Sequence, residues 1–228
     1  LFGEAHNVPL PGHSLSLRTA MHFSRHRSLV LRLLSLVLPL PLAAQQPFDL
    51  LVRGARLLDG TGNPWYYADV AVRGDRIAAV GALRGAQAHR VIDARGLYLA
   101  PGFIDVHSHS GGGLATRELG GGEPLLVQGL TTVFVNPDGG GPVDLVRQKA
   151  ALLENGLGLN VALLVPHGSV REAVLGMSDR APSPAELDRM RQMVRAGMQA
   201  GAFGLSSGPF YAPGSYATTE ELIELAKV

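Results

Sequence analysis

The chain has 228 residues, of which 46% are hydrophobic and 17% are charged, and its formal net charge at pH 7 is +1. This length allows one sizeable buried core, and the scattered Lys and Arg residues form no basic stripe, so we expect a soluble globular enzyme that binds no nucleic acid. The absence of cysteine excludes disulfides, thiolate metal ligands and a cysteine nucleophile.

The N-terminal segment has the order of a secretory signal peptide. From Met21 a short basic stretch precedes an apolar run over residues 29–42, which is followed by a pair of alanines. We therefore expect a signal peptide over 21–44 and an exported protein, either periplasmic or secreted. The alternative is a membrane anchor, but the run is shorter than the about 20 residues of a spanning helix, so no stable membrane insertion is expected after cleavage. Residues 1–20 carry no methionine and no periodic pattern, and we interpret them as a non-native upstream segment.

Residues 48–97 carry a β pattern and are predicted to form part of a small β-sandwich. The stretches 68–73 and 76–80 have strand character, and Gly74-Asp75 between them predicts a tight hairpin.

Two histidines follow the next predicted strand. Residues 101–109 read Pro-Gly-Phe-Ile-Asp-Val-His-Ser-His, and the short apolar stretch before the histidines predicts a strand that ends where glycines begin. Imidazoles at positions i and i+2 of a strand project to the same face, so His107 and His109 suit one metal ion. The alternative is a pair of surface or hydrogen-bonded histidines.

Beyond residue 97, strands and helices alternate. Strands are predicted to end at 109 and to cover 130–135, 160–165 and 202–207; helices are predicted near 116–128, over 143–154, after Ser183 and from Thr218 to 228. The helix after Ser183 opens with a capping box and a proline at its first position. Its core face is predicted to carry Leu187, Met190, Val194 and Met198.

Four consecutive β/α units are half of an eight-stranded (β/α)8 TIM-type barrel, which typically needs about 250 residues. We therefore expect residues 98–228 to be the first half of such a barrel and the chain to be the N-terminal portion of a larger α/β protein. A complete doubly wound domain is the alternative, but no Gly-x-Gly-x-x-Gly loop follows the first strand. A half barrel leaves strand edges unpaired, so the chain alone is expected to fold poorly and to be inactive.

Two segments resemble a known enzyme family. Residues 101–109 resemble the first barrel strand of the amidohydrolase superfamily, whose motif Pro-Gly-Phe-Ile-Asp-x-His-x-His places a metal on both histidines. Residues 201–213 resemble the signature Gly-Ala-x-Gly-x-Ser-Thr-Gly-x-x-Tyr-x-Pro of its N-acyl-D-amino-acid deacylase (D-aminoacylase) branch, with Ser207 in place of the threonine. The resemblance extends from about Phe48 to the last residue. It implies an amidohydrolase-like barrel, one or two zinc ions and a small N-acyl amino acid as substrate.

The second strand departs from the family pattern at one residue. The deacylases read Gly-Val-Thr-Thr-Val-Val-Val-Gly-Asn-Cys-Gly there, with the cysteine bridging two metal positions, whereas residues 129–139 place Asp138 at that register. A carboxylate is a competent zinc ligand and can bridge two ions, so we predict Asp138 as a third ligand. The alternative is that Pro-Asp-Gly only forms a turn.

The resemblance assigns three residues to the substrate pocket: His167, Ser207 and Tyr211. The segment 166–171 resembles the family's Gly-His-Gly-Thr-Leu-Arg, which makes Arg171 a candidate partner for a substrate carboxylate. The alternatives are a hydrogen-bonded structural histidine and a tyrosine that anchors its loop.

The implied reaction is metal-assisted amide hydrolysis, in which zinc polarises the acyl carbonyl and activates water while a carboxylate carries a proton to the leaving amine. In the family that carboxylate is an aspartate on a later strand, which would lie beyond Val228, so the catalytic residue is unknown. Residues 202–210 contain no lysine, which disfavours the cyclic amidases that carry a carboxylated lysine there. Two alternatives stay open: another amidohydrolase reaction, such as that of a deaminase, dipeptidase or cyclic amidase, and a truncated inactive homologue or binding module.

Overall fold

The computed structural model describes residues 46–228. The signal peptide predicted over 21–44 and the upstream segment 1–20 lie outside these residues. Within 46–228, no helix combines the length and the apolar character that crossing a bilayer requires.

Five strands form the first sheet. They are β1 (Phe48–Leu57), β2 (Tyr66–Arg73), β3 (Arg76–Gly81), β4 (Ala88–Asp93) and β5 (Tyr98–Leu99). The order is β3-β2-β1-β4, and β5 pairs with the end of β1. The antiparallel hairpin of β2 and β3 is confirmed, and Gly74 in its turn has a φ of 59°, a left-handed conformation that glycine adopts without steric cost. Strand pairing reaches Leu99, two residues past the boundary predicted at 97.

Four parallel strands form the second sheet, and their spatial order follows the chain. They are β6 (Phe103–Asp105), β7 (Leu130–Val135), β8 (Asn160–Pro166) and β9 (Gly204–Ser206). Parallel strands that follow sequence order are neighbours in a β/α barrel, whereas a doubly wound sheet reverses its order at a switch point. The order β6-β7-β8-β9 is therefore of the barrel type and argues against the doubly wound alternative.

Six α-helices accompany the second sheet within the described residues. They are α1 (Gly111–Leu114), α2 (Glu123–Leu126), α3 (Leu145–Glu154), α4 (His167–Leu175), α5 (Pro184–Gln199) and α6 (Thr219–Ala226). The single helix predicted near 116–128 is wrong: two one-turn helices flank a glycine-rich turn there. The segment 120–122 is Gly-Gly-Gly, and glycine disfavours a helix interior. The stretch after β8, for which no helix was predicted, is helical, because α4 begins directly at His167.

Helix α5 has the predicted start but not the full predicted core face. The Ser183 side chain accepts from the Glu186 backbone and the Glu186 carboxylate accepts from the Ser183 backbone, which confirms the capping box. Met190 and Val194 are buried, whereas Met198 is 38% exposed, contrary to the prediction. Gly197 takes the inward position instead, since a methyl group there would lie 2.5 Å from the Val165 side chain. The helix therefore approaches β8 closely at that turn.

Candidate metal centre and adjoining pocket

The carboxyl ends of β6 and β7 bring two histidines and an aspartate together. The Nε2 atoms of His107 and His109 lie 3.2 and 3.3 Å from the same Oδ2 atom of Asp138. Strand β6 ends at Asp105, so the histidines lie in the following loop and not on the strand, contrary to the prediction. The Asp105 carboxylate accepts a hydrogen bond from the His107 backbone at 3.0 Å, which turns the chain at that point. Both rings still face the same side.

The donor atoms of this cluster fit a metal ion. Ligand atoms about 2.0–2.1 Å from a tetrahedral zinc ion lie about 3.3 Å from one another, and the two measured N···O separations agree with that spacing. One ligand atom from each of the three residues lies within 4.8 Å of the other two. Two imidazoles and a carboxylate are also a donor set that catalytic zinc sites use. The arrangement therefore supports the predicted ligand set.

Asp138 also lies in a turn, as the alternative interpretation of Pro-Asp-Gly predicted. It lies in the 3-10 turn Pro137–Gly139, with φ of 56°, and Asn136 before it has φ of 63°. Left-handed backbone is costly for most residues, and Asn and Asp tolerate it best. The two interpretations are compatible, because the turn directs the carboxylate toward the histidines.

Close backbone packing holds this turn in place. A methyl group on Gly208, just beyond β9, would lie 2.2 Å from the Asp138 carbonyl oxygen, and one on Gly139 would lie 2.9 Å from the Gly168 backbone nitrogen. Side chains at these positions would force the turn away from the histidines. Glycine is therefore required where the loops after β7 and β9 meet the first turn of α4.

Three polar residues that the sequence analysis missed support the same turn. The buried Ser206 hydroxyl donates to the Asn136 carbonyl at 2.6 Å and accepts from the Gly139 backbone at 3.2 Å. The side-chain amides of Asn136 and Gln148 exchange two hydrogen bonds of 2.8 Å. The Asn-Pro dipeptide at 136–137 could have indicated a turn, but no sequence signal marks Gln148 on α3.

The predicted roles of His167 and Arg171 need correction. Both side chains are fully buried, and both contact the Glu221 carboxylate at the start of α6: His167 Nε2 lies 2.9 Å from Oε1, and Arg171 Nη1 donates to Oε2. Arg171 is therefore not free to bind a substrate carboxylate, and His167 does not line an open pocket. Sequence reasoning could not identify this cluster because its partner lies 54 residues away along the chain.

A cavity of about 390 Å³ opens beside the cluster of His107, His109 and Asp138. His109, Asp138 and Tyr211 line it, so the structure places the predicted pocket tyrosine next to the proposed ligands. Ser207 is exposed at the end of β9 and reaches inward to His167. A larger cavity of about 610 Å³ lies beside His109 and is bordered by residues of α1 and α3.

Comparison with known proteins identifies the family of this chain. Residues 90–226 match the model of the amidohydrolase family. The chain is 39% identical over 207 residues to a D-aminoacylase of Alcaligenes xylosoxydans xylosoxydans, covering 80% of this chain and 42% of that protein.

Two solved structures are similar in fold. The crystal structure of a D-aminoacylase has a TM-score of 0.71 and 35% identity, covering 79% of this chain and 43% of that one. The N-acyl-D-glutamate deacylase of Bordetella bronchiseptica, solved with zinc and a phosphonate inhibitor, has the same TM-score and identity, covering 80% and 43%. The chain thus spans about two fifths of the length of these relatives. Because the family model covers more than half of the chain and the histidine pair follows its first barrel strand, the chain belongs to the amidohydrolase family.

Proposed function

We propose that this protein is a zinc-dependent hydrolase that releases amino acids from N-acyl-D-amino acids. The observation that carries the proposal is the convergence of His107 and His109 on Asp138, at the carboxyl ends of parallel strands and beside a cavity. Barrel enzymes hold their reacting groups at this end of the strands. The similarity to a D-aminoacylase and to an N-acyl-D-glutamate deacylase supports the substrate class.

We propose that His107, His109 and Asp138 hold one or two zinc ions. When bound, zinc polarises a carbonyl group and lowers the pKa of water to about 7. The two neutral imidazoles and one carboxylate supply a single negative charge, so the site stays positively charged around one divalent ion. An N-acyl amino acid carries a free carboxylate, and a positive site attracts such an anion.

Tyr211 is proposed to position the substrate. Its side chain is 55% exposed on the cavity that also holds His109 and Asp138. A tyrosine combines an apolar ring, which can pack against an acyl chain, with a hydroxyl that can donate a hydrogen bond to a carbonyl oxygen. Tyr211→Phe removes this hydroxyl and should therefore weaken catalysis. The control is Tyr216→Phe, which removes the hydroxyl of a tyrosine in the following 3-10 turn Gly214–Tyr216 and should weaken catalysis less.

The activity test uses protein made from the complete open reading frame, stripped of metal with a chelator and then supplied with zinc. We expect zinc-dependent release of free amino acid from N-acyl-D-amino acids in preference to the L-enantiomers. The measurement is chiral chromatography of the products, with ammonia assayed in parallel. Release of ammonia without amino acid would support the deaminase alternative, and a preference for L-substrates would contradict the D-aminoacylase assignment.

We also propose that the protein is exported through the signal peptide predicted over 21–44. The support is the order of basic, apolar and small residues from Met21 onward. Protein isolated from the periplasm or medium of a bacterial host should begin at Gln45 when its N-terminus is sequenced. An uncleaved Met21 start on cytoplasmic protein would contradict export.

A further inference from the structure

The larger cavity beside His109 has a volume of about 610 Å³, which is within the range of small-molecule sites. Its lining includes His109 and, at the start of α3, the charged residues Asp144 and Arg147. The smaller cavity of about 390 Å³ also borders His109. A substrate whose amide is bound beside His109 therefore has two cavities into which its two ends can extend.

The two cavities differ in the charge of their lining. Among the described residues that line the larger cavity, Arg147 carries the one permanent positive charge, and the Asp144 carboxylate serves as the N-cap of α3 by accepting from the Arg147 backbone N–H at 3.0 Å. The smaller cavity is lined by the carboxylates of Asp138 and Glu172, and no lysine or arginine of residues 46–228 lines it. A metal ion would offset the charge of Asp138 but not that of Glu172. An anionic substituent is therefore favoured in the larger cavity.

The positive charge of Arg147 does not stabilise the described fold. Arg147 is the third residue of α3, and a cation is unfavourable at this positive end of a helix. Within residues 46–228 its guanidinium forms no salt bridge, whereas Arg191 on α5 pairs with two carboxylates. The residue is exposed and lines the cavity, so the guanidinium is accessible to an anion from solution. Its planar fork matches a carboxylate with two parallel hydrogen bonds.

We propose that Arg147 binds the side-chain carboxylate of the substrate, so that the enzyme prefers N-acyl-D-amino acids with an acidic side chain. This inference rests on the proposed function and deepens it by naming the side chain. The α-carboxylate is attached to the same carbon as the amide nitrogen and stays next to the metal, whereas a longer side chain can reach into the larger cavity. The acyl group then occupies the smaller cavity beside Tyr211.

The kinetic test compares N-acetyl-D-glutamate with N-acetyl-D-glutamine, which have nearly the same shape and differ in the charge of the side chain. The wild type should hydrolyse the glutamate with the higher kcat/KM. In Arg147→Gln this value should fall about 10-fold or more, as expected for the loss of a hydrogen bond to a charged group, while the value for the glutamine should change little. Arg147→Lys keeps the charge and should keep part of the preference. The control Arg195→Gln removes an exposed arginine of α5 and should keep all of it.

The outcomes separate the two proposals. An equal fall for both substrates in Arg147→Gln, or no fall for the glutamate, would overturn the role of Arg147 in an active enzyme and leave the proposed function standing. A wild-type protein that releases no amino acid from any N-acyl-D-amino acid would overturn the proposed function.

Binding to the zinc-free full-length protein tests Arg147 without turnover. Isothermal titration calorimetry should show that the wild type binds N-acetyl-D-glutamate more tightly than N-acetyl-D-glutamine, and that Arg147→Gln binds the two equally. The melting temperature of this variant should match that of the wild type, because the guanidinium forms no salt bridge within the described fold. Equal affinities of the wild type for the two compounds, or binding of neither, would overturn the inference whatever the activity.

Discussion

The position of the Asp138 carboxylate depends on Ser206, a residue that is not among the proposed metal ligands. The Ser206 hydroxyl bridges the Asn136 carbonyl and the Gly139 backbone, and so it closes the turn that presents the Asp138 carboxylate. Ser206 is 8% exposed, so water cannot readily replace these hydrogen bonds. The position of one proposed ligand therefore rests on a buried serine at the end of a different strand.

Replacement of Ser206 by alanine should weaken both the fold and the metal site. The variant leaves the Asn136 carbonyl and the Gly139 N–H without their partner, which should lower the free energy of unfolding by about 1–3 kcal/mol. The looser turn should also lower zinc affinity, although no ligand is removed. Urea unfolding and zinc titration measure the two effects, with the exposed Ser215→Ala as the control. Unchanged zinc affinity in Ser206→Ala would show that the turn holds without this serine.

Individual site residues were predictable where a local pattern or a register marked them. The spacing of His107 and His109 and the register of Asp138 identified a set that the structure brings together. The burial of His167 and the role of Ser206 were not predictable, because their partners Glu221 and Asn136 come from elements 54 and 70 residues away. Such contacts depend on tertiary packing and leave no local signal.

At the element scale, helix α5 has a charged start that responds to pH. The Glu186 carboxylate accepts from Arg180 at 2.7 and 2.8 Å and from the Ser183 backbone and hydroxyl at 2.8 Å. The Arg180 guanidinium, followed by the Ser183 hydrogen bonds, holds the pKa of Glu186 far below its ordinary value of 4.5. This carboxylate therefore stabilises the fold when it is ionised.

Glu186→Gln should lower the melting temperature at neutral pH but not in strong acid. A carboxylate whose pKa is lowered in the folded state contributes stability above pH 4.5, and that contribution is lost as the pH falls through the lowered value. The difference between wild type and variant should therefore shrink as the pH decreases below 4.5. Circular dichroism melts across this range measure it, with Glu220→Gln in the first turn of α6 as the control. A deficit that stays constant with pH would contradict the charged role.

Helix and strand positions followed from sequence where propensity and pattern agreed. The strand β7 and the capping box of α5 lie where they were predicted. The segment between β6 and β7 was predicted wrongly, because its glycines allow tight turns that an apolar periodicity does not reveal. Helix α4 was missed since its sequence begins with His-Gly-Ser and resembles a loop.

At the scale of the whole molecule, the second sheet determines where the candidate site residues lie. Its parallel order brings the loops after β6, β7 and β9 and the start of α4 to one edge, and the glycines at 139, 168 and 208 let these segments pack closely. The alternation of strands and helices in the sequence predicted this barrel-type order. The close glycine packing was not predictable, because it depends on which loops meet.

The central claim is that His107, His109 and Asp138 form a metal centre, and Asp138→Gly tests it most directly. Glycine suits the left-handed backbone at position 138, so the turn should persist and the melting temperature of the metal-free protein should not fall. The ligand is lost, so zinc bound per chain, measured by inductively coupled plasma mass spectrometry, should drop well below the wild-type value, while the exposed His89→Ala control keeps it. Wild-type zinc content in Asp138→Gly would contradict the claim and leave Asp138 as a turn residue only.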